Sequence, residues 1–211
     1  MSRPRAPQDP DRVIAEGTRP SRGSAGDANA LWRYERHRRR NLQARPGPLP
    51  VALVLDRLKP DFNVPKIFRS AEAFGAHAVH LIDIGPFDPA PAKGGFKHVP
   101  ARWWHAFAPC REALEAEGFA LIALSPEAPD LLHDIALPPR VAFVVGHELG
   151  GLSEETRNSP GLHLARLPQW GQLDSLNVAV AASVALYEFV RQRAGSMPRD
   201  GTGSLPTAVP G

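Results

Sequence analysis

The sequence predicts an α/β fold in which helices cover both faces of a parallel β-sheet. Short apolar runs alternate with helical patterns between residues 50 and 194, and this alternation is typical of βαβ units. The runs, such as 51–55 and 141–145, are almost continuously apolar, so both faces of each strand are expected to be buried. The chain has 211 residues, 43% of them apolar, which supports one domain with a sizeable core.

The predicted elements follow one another in a regular order. Strands are predicted at residues 51–55, 78–82, 119–124, 141–145 and 162–167. Helices are predicted at residues 63–75, 109–117 and 174–193. The last helix is rich in alanine, which lets a helix approach a neighbour closely. Residues 85–100 are rich in proline and glycine and are predicted to form a loop.

The two ends of the chain differ in composition from the region between them. Seven of the 23 prolines lie in residues 1–50, and residues 195–211 add three more together with several glycines and serines. Such segments bury too little apolar surface to offset the entropy lost on ordering. Residues 1–49 are therefore predicted to be a weakly structured, partly disordered arm, residues 50–194 a folded domain, and residues 195–211 a disordered tail.

The N-terminal arm is strongly basic. Residues 1–45 contain eleven arginines against five acidic residues, a local charge of +6, whereas the whole chain carries +3. Arginine pairs with phosphate, and the rings of Trp32 and Tyr34 can stack on bases, so the arm is interpreted as an RNA-binding segment. The arginines beside these rings are Arg33, Arg36, Arg38, Arg39 and Arg40. The alternative is a solvated helix whose two aromatic side chains dock on the domain.

Several classes of protein are disfavoured. No run approaches the ~20 apolar residues of a membrane span, and no apolar segment follows the basic N-terminus as in a secretory signal. The single cysteine, Cys110, cannot form an internal disulfide, so a cytoplasmic location is expected. The glycine-rich dinucleotide, phosphate-loop, serine-hydrolase and zinc-protease motifs are absent. The eight scattered histidines suggest no metal site.

Candidate functional residues follow the predicted strands, because parallel sheets bind ligands at the carboxyl ends of their strands. Asn63 and Arg69 lie on the helix after the first strand, and Leu124-Ser125 ends the third. The fourth strand is followed by Gly146-His147-Glu148-Leu149-Gly150-Gly151, and the last strand is followed by residues 167–177.

Each candidate also has an ordinary structural alternative. Asn63 is a good N-cap for the helix that follows it. Arg69 falls beside the apolar stripe of that helix, as a surface arginine would. Asp174 or Ser175 can cap the final helix, and the three glycines after the fourth strand can simply shape a tight turn.

Taken together and in order, the patches resemble the three motifs of the SpoU/TrmH family of SPOUT RNA 2′-O-methyltransferases. The first motif is matched by Asn63-Val64-Pro65-Lys66-Ile67-Phe68-Arg69 and the residues up to Gly75, and the second by residues 144–153. The third, which is the most specific, is matched from Leu167-Pro168 through Ser175-Leu176-Asn177 to Ala181. The resemblance covers about residues 50–193.

The resemblance implies a particular fold, cofactor and assembly. Members of the family thread the C-terminal segment of the domain through a deep trefoil knot, bind S-adenosylmethionine there, and act as homodimers on a ribose 2′-hydroxyl of tRNA or rRNA. Matched by position, the residues expected to bind the methyl donor are Leu124 or Ser125, Gly146, Leu167 and Leu176. The residues expected to form the catalytic site are Arg69, Asn63, Glu148, Ser175 and Asn177. The expected dimer surface lies on the final helix, at Val178, Ala181, Ala182 and Ala185.

Three positions depart from the pattern of the family: Pro65, Lys66 and Ala179, the last of which replaces a common serine. Pro65 and Lys66 stand where the family usually carries a small residue after the asparagine and its apolar neighbour. Proline is tolerated in the first turn of a helix. Lys66 adds positive charge close to the expected phosphate and is therefore counted among the RNA-binding residues.

Two other functions stay open from the sequence. One is a catalytically silent RNA-binding or assembly protein that retains the fold, and the intact motif residues argue against it. The other is an α/β enzyme acting on a small nucleotide, and the basic arm argues against that. The motifs do not distinguish tRNA from rRNA as the substrate.

Overall fold

The structure, a computed structural model, describes residues 25–193. Its strands are β1 (Leu49–Asp56), β2 (Ala76–Ile82), β3 (Ala101–Trp104), β4 (Ala120–Leu124), β5 (Asp130–Leu131), β6 (Val141–Val145) and β7 (His163–Arg166). They form one parallel sheet in the order β3-β2-β1-β6-β4-β7-β5. The prediction of an α/β fold with a parallel sheet is confirmed.

Both faces of the central strands are buried, as their continuous apolar sequences predict. In β1, Leu53 and Leu55 face one apolar cluster, whereas Ala52 and Val54 face a second cluster on the other side of the sheet. β1 pairs with β2 along one edge and with β6 along the other. Because successive side chains of a strand point to opposite faces, an apolar run of this kind needs cover on both.

The helices provide that cover. They are α1 (Ala25–Asn41), α2 (Asn63–Ala73), α3 (Gly95–His98), α4 (Phe107–Ala116), α5 (Glu154–Arg157) and α6 (Val178–Arg193), with 3₁₀ turns at Ala90–Ala92 and Leu132–Asp134. Side chains of α1, α2, α3 and α6 enter the first cluster, and α4 covers the second with α5 against it.

Five strands and three helices lie close to their predicted positions, and two strands lie outside the predictions. β3 is an edge strand in which three of four residues are only half-buried, so it has no continuous apolar run. β5 has two residues. The predicted loop at residues 85–100 contains α3, and α6 begins four positions later than the predicted 174 because the preceding residues form an exposed loop.

Residues 25–41, which the composition predicts to be weakly structured, form the helix α1 and dock on the domain. Tyr34 is 4% exposed, between the rings of Phe87 and Phe96. Arg33 donates two hydrogen bonds to Asp88, at 3.0 and 2.7 Å, and holds the pKa of that carboxyl below its usual value.

The docking alternative is therefore confirmed for Tyr34. The buried amide of Asn41 fixes the other end of α1, since it donates to the carbonyl groups of Phe96 and Val99 and accepts from the backbone N–H of Ala101. The rest of the predicted arm, residues 1–24, and the predicted tail lie outside the described residues.

The four residues of α6 predicted to form an exposed dimer surface do not form one, so that prediction is wrong about which side of the helix is exposed. Ala182 and Ala185 are fully buried, and the other two residues of that set are half-buried. The opposite side of α6 is exposed and apolar instead, at Val180, Val184 and Tyr187. Alanine suits the inner side because it lets α6 approach α2 and the sheet.

Between residues 25 and 193, no helix has both the length and the apolar character needed to cross a membrane.

Candidate active site

A cavity of about 760 Å³ opens at the carboxyl edge of the sheet, where β4, β6 and β7 end. Its walls are the end of β4, the turn at residues 146–152 and the segment at residues 167–178. All five residues predicted to bind the cofactor line it: Leu124, Ser125, Gly146, Leu167 and Leu176. The cavity therefore lies where the sequence analysis expected it, at the carboxyl ends of the parallel strands.

The turn after β6 is shaped by the close approach of two glycines. A Cβ atom at Gly146 would lie 2.2 Å from the carbonyl carbon of Gly151, so only glycine fits there without movement of the backbone. His147 and Gly151 exchange two backbone hydrogen bonds of 2.8 Å. The Nδ1 atom of His147 accepts a further bond from the backbone N–H of Leu149 at 3.1 Å. Gly146 and Gly151 therefore shape a tight turn, and that turn is a wall of the cavity.

A chain of hydrogen bonds beside the cavity joins residues from all three motifs. Asn177 Nδ2 donates to Asn63 Oδ1 at 3.1 Å, and Asn63 Nδ2 donates to Glu148 Oε1 at 2.9 Å. The backbone N–H of Lys59 donates to Glu148 Oε2 at 3.3 Å. Three residues that are far apart in the sequence are therefore held in one fixed arrangement.

The Glu148 carboxyl has a pKa below its ordinary value. Partial burial acts to raise it, but the hydrogen bonds from the Asn63 amide and from the backbone N–H groups of Glu148 and Lys59, with the nearby His147, outweigh that effect. Glu148 is therefore a carboxylate at neutral pH, which keeps it an acceptor for Asn63.

The capping roles differ from the sequence alternatives. Asn63 is the first residue of α2, and the N-cap position before it is Phe62, whose side chain cannot accept a hydrogen bond. The Asn63 amide is turned toward Glu148 and Asn177 instead. The cap of α6 is Asn177, whose Oδ1 accepts from the backbone N–H groups of Ala179 and Val180 at 3.0 and 3.4 Å. Ser175, like Glu148 and Asn177, lines the cavity.

Arg69 is not brought to the cavity. It is exposed on α2, and among the described residues its side chain has no hydrogen bond or ion pair. Lys66 is also exposed on α2, with its ammonium 5.9 Å from the centre of the Phe62 ring. Both cations face solvent on α2, outside the cavity wall.

The arginines of α1 fall into two groups. Arg33 is held by Asp88, and the Arg38 guanidinium lies 4.7 Å from the centre of the Trp103 ring. These two arginines therefore attach the helix to the domain. The exposed arginines of α1 are Arg36, Arg39 and Arg40.

Four titratable residues of the cavity were not among the predicted site residues: Glu127, His147, Arg157 and Asp174. His147 lies inside the second motif and Asp174 inside the third, so the motifs could have indicated both as site residues. Glu127 lies three positions past β4, and Arg157 is the last residue of α5. No motif includes these two, and only the tertiary structure brings them to the cavity.

The fold and the site define a class of protein. A parallel sheet covered on both faces, with a cavity of ligand size and hydrogen-bonded polar side chains at the carboxyl ends of its strands, is the arrangement of an α/β enzyme that binds a small ligand at that edge. The chain matches the model of the SpoU rRNA Methylase family over residues 50–187, and it belongs to that family. The match includes every residue that lines the cavity and leaves α1 outside.

Relatives and solved structures agree with this membership. The 23S rRNA (guanosine-2'-O-)-methyltransferase RlmB of Nitrosomonas europaea is 33% identical over 147 residues, which are 67% of this chain and 56% of that protein. An AdoMet-bound rRNA methyltransferase from Sinorhizobium meliloti has 28% identity and a TM-score of 0.61, over 72% of this chain and 59% of that one. A protein studied for "the 2-OH methylation of C/U34 on tRNA" has 31% identity and a TM-score of 0.59, over 69% of this chain and 97% of that one. The chain thus spans little more than half the length of the first relative.

Proposed function

We propose that this protein transfers a methyl group from S-adenosylmethionine to a ribose 2′-hydroxyl of ribosomal or transfer RNA. The observation that carries the proposal is the chain of hydrogen bonds from Asn177 through Asn63 to Glu148, because it unites the three motifs beside one cavity. The names of the relatives support a ribose of RNA as the substrate, since one names guanosine of 23S rRNA and another names C/U34 of tRNA.

The cavity fits S-adenosylmethionine in size and charge. Its volume of about 760 Å³ lies within the roughly 300–1,000 Å³ of small-molecule sites. The cofactor carries two positive groups, a sulfonium and an ammonium, and one carboxylate. The cavity presents three carboxylates and one guanidinium, from Glu127, Glu148, Asp174 and Arg157. The leucines at the ends of β4 and β7 add apolar surface suited to the adenine ring.

The chain's own residues would position the ribose and stabilise the charge on its oxygen. Bound S-adenosylmethionine supplies an activated methyl group. Arg69 is a poor general base because a guanidinium keeps its proton at neutral pH, but it can hold an RNA phosphate and so position the ribose next to that phosphate. Its exposed place on α2 suits a phosphate that remains in solvent.

Asn63, Glu148 and Asn177 would keep the site rigid. The amide of Asn63 uses its oxygen toward Asn177 and its nitrogen toward Glu148, so its orientation is fixed. Asn177 is fixed in turn by capping α6. The Ser175 hydroxyl, on the cavity wall, can bind the ribose directly.

RNA phosphates would be held by cations that face solvent. On α1 these are Arg36, Arg39 and Arg40, and on α2 Lys66 joins them. We assign Arg33 and Arg38 to docking of α1, because both are engaged by the domain. Joint replacement of Arg36, Arg39 and Arg40 by glutamine, which keeps the buried residues of α1, should weaken RNA binding and reduce its salt dependence, since each phosphate contact contributes roughly −0.7 to −0.9 to the slope of log affinity against log salt.

Three finer features belong to the same proposal. The first is a homodimer that pairs through the exposed face of α6. Val180, Val184 and Tyr187 form an apolar stripe there, which exceeds the scattered exposed residues of an ordinary surface. The second is a C-terminal trefoil knot, which residues 167–177 and α6 would form around the cavity. The third is a cytosolic location, which suits an enzyme of cellular RNA with one buried free cysteine.

Calorimetry and methyl transfer test the proposal. The protein should bind S-adenosylmethionine, and Leu176→Arg should abolish binding by filling the cavity. Leu173→Arg is the matched control, because Leu173 is an exposed neighbour outside the cavity lining and its replacement should leave binding unchanged. Labelled methyl groups should then appear on ribose in total RNA. Absence of cofactor binding would reject the proposal, and RNA binding without transfer would favour the silent alternative.

A further inference from the structure

A second cavity, of about 340 Å³, lies outside the site described above. It is bounded by α1, by the loop from β1 to α2 and by the segment after β2. Its surface is formed mainly by aromatic and proline rings, together with two aspartates. The lining residues used below are Leu31, Pro60, Asp61, Phe62, Phe87 and Asp88.

Phe62 is unusual in this cavity because 63% of it is exposed. An exposed phenylalanine ring at the edge of a cavity offers a flat face on which a nucleobase can stack. Phe62 directly precedes Asn63, whose amide donates a hydrogen bond to Glu148. The backbone N–H of Lys59, in the same loop, donates a second hydrogen bond to Glu148. One short loop therefore forms a wall of the second cavity and a support of the first.

The polar and charged groups around the ring suit RNA. Lys66 and Lys59 are exposed beside it and can pair with phosphates. Asp61 Oδ1 accepts from the backbone N–H of Phe62 at 2.7 Å, while the described residues give its Oδ2 no partner. A carboxylate oxygen in that position accepts N–H groups from the edge of a base. Asp88 is already held by Arg33.

We propose that this cavity binds an unstacked nucleobase of the RNA substrate, with Phe62 stacked on the base and Asp61 accepting a hydrogen bond from its edge. The inference rests on the proposed function, because it places a base of the same RNA next to the ribose-methylating site. The base would be held between the loop and α1, so the docked helix would form one side of the substrate site.

The test uses the full chain and a short single-stranded RNA that carries 2-aminopurine, whose fluorescence falls when it stacks on an aromatic ring. Phe62→Ala should weaken binding roughly 5- to 150-fold and abolish the fluorescence change. Phe62→Trp should keep both, and Phe62→Leu should behave like alanine because it has no π-face. Leu42→Ala, which truncates another exposed apolar side chain, should change nothing.

Unchanged RNA affinity in Phe62→Ala, or full affinity in Phe62→Leu, would overturn the inference. Conversion of a dimer to a monomer by Phe62→Ala would overturn it too, since the ring would then belong to a protein interface. Methyl transfer by the wild-type protein and base stacking in the Phe62 variants test the two proposals separately. If the wild type transfers methyl groups but the Phe62 variants bind RNA normally, the proposed function holds and the base-binding site is rejected. If stacking depends on Phe62 but the wild type transfers no methyl group, the base-binding site holds and the proposed function is rejected.

Discussion

Replacement of Tyr34 by alanine should undock α1 and destabilise the whole domain. Tyr34 is 4% exposed, and its ring centre lies 5.2 Å from that of Phe87 and 5.8 Å from that of Phe96. Removal of a buried aromatic ring typically costs about 3–5 kcal/mol. In a domain of this size each kcal/mol lowers the melting temperature by about 2–4 °C, so a fall of roughly 6–20 °C is expected.

Thermal and denaturant unfolding, followed by circular dichroism, measure this loss. Tyr34→Phe keeps the ring and should stay close to wild type, and Leu42→Ala should do so because that side chain is 76% exposed. RNA affinity should fall in Tyr34→Ala although every arginine of α1 is retained, because the helix would no longer present them. If Tyr34→Ala melted within about 2 °C of wild type, α1 would not belong to the cooperative unit, and our assignment of Arg33 and Arg38 to docking would be wrong.

Three further predictions concern the site and the assembly. Arg69→Ala should cut single-turnover methyl transfer at saturating RNA by orders of magnitude with only a modest loss of RNA affinity. Arg39→Ala should weaken RNA binding modestly, as one phosphate contact among several, and leave that rate unchanged; equal losses in both assays would contradict these separate roles. The folded-state pKa of Glu148 is lowered, so its contribution to stability is complete above the unfolded value of about 4.3 and is lost as the pH falls through the folded value. Unfolding midpoints measured down the acid range should therefore fall less steeply in Glu148→Gln, and parallel curves would refute this. Val184→Asp should convert the proposed dimer to a species of 22.9 kDa in light scattering, and a wild-type mass of that value would contradict the dimer itself.

The sheet could be predicted from the sequence where burial is complete, and could not be predicted where it is partial. β1 and β6 are buried on both faces, and their uninterrupted apolar runs show it. β3 carries the sequence Ala-Arg-Trp-Trp at an edge, and its strand character depends on pairing with β2. The helix α1 is polar on most positions, and its order depends on partners such as Asp88, fifty-five positions away.

The candidate site, like the sheet, could be predicted only in part. Because ligands bind where parallel strands end, Gly146, Leu124 and Leu167 were expected at one site, and all three line the same cavity. Asn63 was expected with equal reason as a cap or as a site residue, and only the fold shows its amide turned toward Glu148. Arg157 could not have been found, because its position at the cavity depends on how α5 returns to the sheet.

The strand order has a consequence for synthesis on the ribosome. β1 pairs with β6, and the pairing of Val51 with Val141 joins positions 90 residues apart. At about 5–20 residues per second, β6 follows β1 out of the ribosome after roughly 5 to 20 seconds. During that interval β1 keeps an open edge, which is prone to pair with another chain, and a chaperone would protect it. α6, which covers the same strands, is made last of all the described elements, so the nascent chain closes this core only after every other described element has been made.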